Sequence, residues 1–195
     1  MNKNSSIFHW GNSSLEMLPT RALLLPQTNE LLICDIHLGK GEYFQQNGIP
    51  LTNNSDEQNL LRIKNIVKEH SPNKLIILGD LFHSKYSISE SLKNKVELLA
   101  ATLNIKIELI VGNHDIGCKV KNIKFLNFKR SNNFIFTHEP IEKFEDNILN
   151  ICGHYHPKIY LKNSKDKLSF RCFALDEKKH VFYLPAFGDL TGGYP

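Results

Sequence analysis

The sequence predicts an α/β fold in which two mixed β-sheets pack face to face and are flanked by helices. Two patterns carry this expectation. In the N-terminal half, short apolar runs alternate with segments of helical period; in the C-terminal half, short strand-like runs follow one another with no helical period between them. With 195 residues, 41% hydrophobic and 23% charged, the chain can build one covered core but is short for two, so a single soluble globular domain over residues 1–195 is expected.

Leu31-Leu32-Ile33-Cys34, Leu75-Ile76-Ile77-Leu78 and the run from Ile107 to Val111 have the composition of strands covered on both faces. Between them, Ser55-Asp56-Glu57-Gln58 reads as a capping box opening a helix to about His70, with Leu60, Ile63 and Val67 on one side. Ser87-Ile88-Ser89-Glu90 opens a second helix, with Leu92, Val96, Leu99 and Leu103 at i, i+4, i+7 and i+11. The resulting β-α-β-α-β order favours parallel strands joined by right-handed crossovers. Further strands are expected at 134–136, 148–152, 158–161, 168–174 and 181–184. The chain has no internal repeat, low-complexity segment or linker.

A net charge of +4 permits a polyanionic ligand without requiring one. The first twenty residues contain no apolar stretch of signal-peptide length, and no later run approaches the roughly 20 residues that span a bilayer. The cytoplasm is therefore the expected location, with no membrane partner. Cys34, Cys118, Cys152 and Cys172 form no CxxC pair, which argues against a zinc ribbon or a dithiol redox centre.

The chemistry gathers where chain segments leave the apolar runs. These runs end in Asp35-Ile36-His37, Gly79-Asp80-Leu81-Phe82-His83, Gly112-Asn113-His114-Asp115, Thr137-His138 and Gly153-His154-Tyr155-His156. Each fragment alone has a plain structural explanation as a cap, a turn or two side chains on one face. Five of them, each following an apolar run, would converge at one end of the sheets, where α/β folds bind ligands. Two divalent ions about 3.5–4 Å apart need a carboxylate that reaches both and imidazole or oxygen ligands that leave positions open. Asp80 is the natural bridge. Mixed nitrogen and oxygen ligation suits manganese, iron or catalytic zinc, and two such ions against Asp35 and Asp80 leave positive charge for a phosphate.

In this order, DIH, GDLFH, GNHD, TH and GHYH resemble the signature of the calcineurin-like metallophosphoesterase superfamily, over residues 35 to 156. The resemblance implies the fold of that superfamily and two divalent metal ions, manganese first, with zinc, iron or magnesium as alternatives. It also implies that Asp35, His37, Asp80 and His156 hold one metal, and that Asp80, Asn113, His138 and His154 hold the other. His114 is then the catalytic histidine facing the leaving group, and Asp115 its orienting partner. Arg21-Ala22-Leu23, His37-Leu38-Gly39-Lys40, Gly48-Ile49-Pro50, Leu184-Pro185-Ala186-Phe187-Gly188 and Thr191-Gly192-Gly193 are similar to the bacterial ligase-associated DNA-damage-response branch. That likeness implies hydrolysis of phosphodiesters, DNA or another nucleic acid as substrate, and a functional association with DNA ligase or repair proteins. Small nucleotides, cyclic diesters and pyrophosphates are the alternative substrates. A non-catalytic scaffold is the competing class, but every expected ligand position and His114 are filled.

Around this set, His83 is a candidate substrate contact or a local cap, and Glu139 a support for the ligands or a solvated carboxylate. Residues 119–130 carry five basic side chains and no acid, with Phe125 and Phe128 interleaved. They read either as a nucleic-acid docking patch or as a strand with a wet basic face. Lys158, Lys162, Lys165 and Lys167 carry the same two readings.

Overall fold

A computed structural model of the chain describes residues 5–50, 54–141, 145–162 and 167–194. Its larger sheet has seven strands in sequence order: β1 (Ser6–Trp10), β2 (Ser13–Met17), β3 (Leu23–Leu25), β4 (Glu30–Ile33), β5 (Lys74–Leu78), β6 (Lys106–Ile110) and β7 (Lys124–Leu126). Strands β1 to β4 form an antiparallel meander, and β4 to β7 are parallel. The connections carry α1 (Lys40–Gln46), α2 (Ser55–His70) and α3 (Glu90–Leu103).

The second sheet contains β8 (Lys129–Ser131), β9 (Phe134–Phe136), β10 (Leu149–Cys152), β13 (Ala174–Asp176) and β14 (Val181–Tyr183), in the order β13-β14-β10-β9-β8. Strands β11 (Lys158–Lys162) and β12 (Lys167–Arg171) pair with each other as a separate hairpin. Lys165 lies outside the described residues.

The apolar runs work as the two-sided strands they resemble. Leu31, Ile33, Leu75, Ile77, Ile107 and Leu109 face a core shared with Ile63, Ile66, Val67, Leu92, Val96 and Ala100 of the two longer helices. The intervening Leu32, Cys34, Ile76, Leu78 and Ile110 face Phe134, Phe136, Leu149, Ile151 and Phe182 of the second sheet. The alternation of side chains along each strand is what divides one run between two cores. Among the described residues no helix is long and apolar enough to cross a membrane.

Several local expectations shift. Asn54, not Ser55, precedes α2, and its side chain makes no capping bond; Asp56 turns away to accept from the Gly39 N–H at 2.9 Å, joining α2 to the start of α1. At α3 the cap is Ser89, whose hydroxyl accepts from the Leu92 N–H, while Ser87 belongs to a preceding 3₁₀ turn. The expected strand at 168–174 divides at residues 172–173 into β12 and β13.

Two polar devices join the layers. Glu30 and Glu108 meet Lys74 and Lys129 at the end of the strands opposite the ligand-bearing loops; Lys129 lies 2.7 Å from Glu30 and 2.9 Å from Glu108. Lys129 comes from β8, so the network crosses from one sheet to the other. At the other end, the segment after β14 runs along the loop following β4: Phe187 N–H donates to Cys34 O, Gly188 N–H to Asp35 O, and the Thr191 hydroxyl to Asp35 O. Gly188 is obligatory there, because an added Cβ would lie 2.0 Å from Ile36 O.

Candidate metal centre

All five signature fragments leave the same end of the two sheets. The parallel β4, β5 and β6 deliver Asp35 and His37, Asp80, and Asn113 and His114; the parallel β9 and β10 deliver His138, and His154 with His156. Asp35, His37, Asp80, His154 and His156 have positive φ of 49–67°, a left-handed backbone that turns each side chain out of its strand direction. Glycines admit the carboxylates: a Cβ on Gly153 would lie 2.5 Å from Asp35 Oδ2, and one on Gly112 2.3 Å from Asp80 Oδ1.

The side chains converge in two overlapping groups. Asp35, His37 and His156 have ligand atoms within 4.8 Å of one another, as do Asp35, Asp80 and His138. Asp80 Oδ2 stands 3.6 Å from His37 Nε2 and 3.5 Å from His138 Nε2, so this one oxygen faces both sides of the centre. Asn113 Oδ1 and His154 Nδ1 each lie 3.1 Å from His138 Nε2. The structure thus brings together all seven residues expected to hold metal.

Their unsatisfied atoms fit cations. Both ring nitrogens of His37 are buried without a hydrogen-bond partner, and Asp35 Oδ1 and His156 Nε2, 3.1 Å apart, have no partner beyond each other. Such orphans are costly unless something outside the protein binds them. His138 Nδ1 lies 3.0 Å from Leu78 O, an acceptor, so this nitrogen carries the ring proton. Nε2 then presents a lone pair toward Asn113 Oδ1 and Asp80 Oδ2, a gathering of electron pairs that suits a metal ion.

The electrostatics prepare neutral imidazole beside carboxylate. Burial pushes His37 down to about 3, leaving its ring uncharged and available as a ligand. Burial would raise Asp35, but the imidazoles of His156 and His138 hold it below its ordinary value. Asp80 is raised by burial against the opposing pull of His138.

His114 stands at the edge of this set. Its backbone N–H donates to Asp80 Oδ1 at 3.1 Å, while its ring stacks on His83 at 5.6 Å and meets His37 edge-on at 5.2 Å. Asp115 is not placed as the partner of that ring. Its buried carboxylate accepts from the Gly112 N–H at 3.1 Å and the Phe82 N–H at 3.3 Å, clamping the loops after β6 and β5 together. Burial raises it to about 6. Asp115 follows its neighbour in sequence but reaches backbone donors from its own position, which spacing alone does not reveal.

His83 lies with His37 and His114, and its Nδ1 is buried with no hydrogen-bond partner; burial, reinforced by the charges of Lys40 and His114, lowers it to about 4. Glu139 is exposed and reaches only to within 4.0 Å of His154 Nε2. The surrounding cavity, about 640 Å³, is also lined by Lys40, Tyr155, Gly192, Gly193 and Tyr194, none of which the sequence motifs offer as a ligand or substrate contact. Lys40 had a signal in its place three residues after His37.

Residues 119–130 do not form one basic surface. Lys129 belongs to the glutamate network, Arg130 pairs with Glu145 at 2.8 Å, and Phe125 packs on the helical core, while Phe128 is exposed.

The chain is similar to solved structures. The nuclease MPE of Pseudomonas putida is similar with a TM-score of 0.82 and 29% sequence identity, covering 98% of this chain and 90% of its own. A phosphoesterase from E. coli, Yfce, has a TM-score of 0.48 and 14% identity, covering 85% of this chain and 84% of its own. A search of curated proteins found no significant match. The model of the calcineurin-like phosphoesterase family matches residues 31–189, from β4 through the segment that lies against it, and the chain belongs to that family.

Proposed function

We propose that this protein hydrolyses phosphodiester bonds in nucleic acid, DNA first, through two divalent metal ions held by Asp35, His37, Asp80, Asn113, His138, His154 and His156. The observation that carries the proposal is Asp80, whose Oδ2 stands 3.6 Å from His37 Nε2 and 3.5 Å from His138 Nε2, beside a buried His37 ring whose nitrogens have no hydrogen-bond partner. Bound there, the ions supply Lewis acidity and an activated water. The chain's own residues do the rest. His114 donates a proton to the leaving oxygen. Asp115 holds the loops that carry Asp80 and Asn113 in register. His83, and Lys40 as a cation at the rim, contact the phosphodiester.

A nucleic-acid substrate is supported by the likeness to a protein described as a nuclease, at 29% identity over nearly the whole chain. It also fits a metal pocket that opens beside a second cleft. Action in DNA repair, alongside a DNA ligase, and manganese as the working ion are parts of the same proposal. The test is metal-stripped protein reloaded separately with manganese, zinc, iron or magnesium, and assayed on single- and double-stranded DNA, cyclic and linear nucleotides, and phosphomonoesters. Metal-dependent cleavage of DNA supports the proposal; activity confined to monoesters or to small nucleotides, or no activity with any ion, overturns it.

A further inference from the structure

The cleft beside the metal pocket has no part in the chemistry above. It holds about 560 Å³, the size of a small-molecule site, and shares His154, Tyr155 and Tyr194 with the metal pocket. The outer face of the five-stranded sheet forms part of its wall, through Ala174, Val181 and Tyr183 of β13 and β14. Among the described residues no helix covers that face.

Its lining combines flat rings with cations. Tyr155 and Tyr183 meet edge-on at 5.7 Å, and Tyr155 and Tyr194 are 50% and 68% exposed, so ring surface is open to a ligand. Lys158 and Lys179 also line the cleft, and neither ammonium has a carboxylate partner among the described residues. The acid facing them, Glu139, lies toward His154. Lys158 is the first residue of β11, and cross-strand pairing puts it on one face of the hairpin with Tyr160, Lys162, Lys167 and Arg171. The two strands contain four cations and no acid. A cationic face therefore leads away from the cleft.

Resting on the phosphodiesterase assignment above, the geometry points to this cleft as the subsite for the nucleoside adjoining the scissile phosphate. The base packs on the tyrosines, and its continuing phosphate backbone follows Lys158 and Lys179. His114 stands with His37 and His83, away from the residues the two cavities share, so the leaving group departs on the His114 side. The cleft then takes the nucleoside that stays on phosphorus.

The test compares three esters with one leaving group: thymidine 3′-phosphate 5′-(4-nitrophenyl phosphate) and thymidine 5′-phosphate 3′-(4-nitrophenyl phosphate), each of which carries the continuing phosphate, and methyl 4-nitrophenyl phosphate, which carries neither base nor second phosphate. Metal-loaded parent is assayed beside Ala174→Trp, which fills the cleft, and Lys179→Glu, which reverses an exposed charge. Base stacking on the tyrosines, for Ala174→Trp, and the charge contact with the continuing phosphate, for Lys179→Glu, support an effect of this order: kcat/KM on at least one thymidine ester falls about tenfold in each variant, mainly through KM, while the methyl ester stays within twofold. If Ala174→Trp does not fold, as judged by circular dichroism, Lys179→Glu decides alone. No advantage of either thymidine ester over the methyl ester in the parent, or equal losses on all three, overturns the subsite. Hydrolysis of none of the three by the parent overturns the phosphodiesterase assignment beneath it.

Discussion

Truncating His114 to alanine separates proton donation from metal binding. Its backbone N–H, which orients Asp80 Oδ1 at 3.1 Å, survives the substitution. What is lost is a ring about one-third exposed, packed against His83 and His37, with its Nε2 3.9 Å from Asp80. Stability should therefore change by no more than about 1 kcal/mol, the scale of a partly exposed side chain away from the core. Both metals should remain. The rate should nevertheless fall on the order of 10²–10⁴-fold, or about 3–5 kcal/mol of barrier, on a substrate whose leaving group is an alkoxide. A nitrophenolate leaves well without a proton, so the loss on a nitrophenyl diester should be far smaller. The assay is the variant-to-parent rate ratio on DNA and on a nitrophenyl diester, with elemental analysis of the same samples. Loss of metal would make His114 a ligand, and equal ratios with both metals present would refute proton donation.

Asp80→Ala should lose at least one metal equivalent and nearly all activity, because its Oδ2 faces both His37 and His138; two retained equivalents by elemental analysis would refute the bridge. Gly153→Ala should fold yet bind metal poorly, since its Cβ would meet Asp35 Oδ2 at 2.5 Å; near-native circular dichroism with sub-stoichiometric metal is the expected pair of results. Lys129→Ala leaves two buried carboxylates with Lys74 alone and should cost about 3 kcal/mol, a fall of roughly 6–12 °C in Tm by calorimetry. Burial would raise Glu108, but Lys129 and Lys74 hold it below its ordinary value. Its stabilising contribution is thus fully present above the unfolded pKa of about 4.3 and is lost as pH falls through the lower folded value. Acid unfolding should accordingly be less steep in Glu108→Gln than in the parent, and identical pH profiles would refute that role.

The amino-acid sequence by itself determined the parts of this protein that local chemistry specifies. Short apolar runs such as Leu75 to Leu78, separated by helical periods, read as buried parallel strands, and the metal-type residues follow them directly, so the strands carry Asp35, Asp80 and Asn113 to one end. The periods of α2 and α3 were legible for the same reason, although the caps were not, because several neighbouring serines and asparagines compete for each helix start. The three antiparallel strands before β4 went unread: they are short, and β1 is half exposed at a sheet edge, which leaves little periodicity. Tertiary structure alone decided which donors meet across long separations. The bonds of Asp115 to Phe82, of Lys129 to Glu30 and of Thr191 to Asp35 span 33, 99 and 156 residues, and no local pattern encodes them. The same holds for the tyrosine-lined cleft, whose walls come from strand ends far apart in the chain, brought together because hydrophobic burial between the sheets fixes their register.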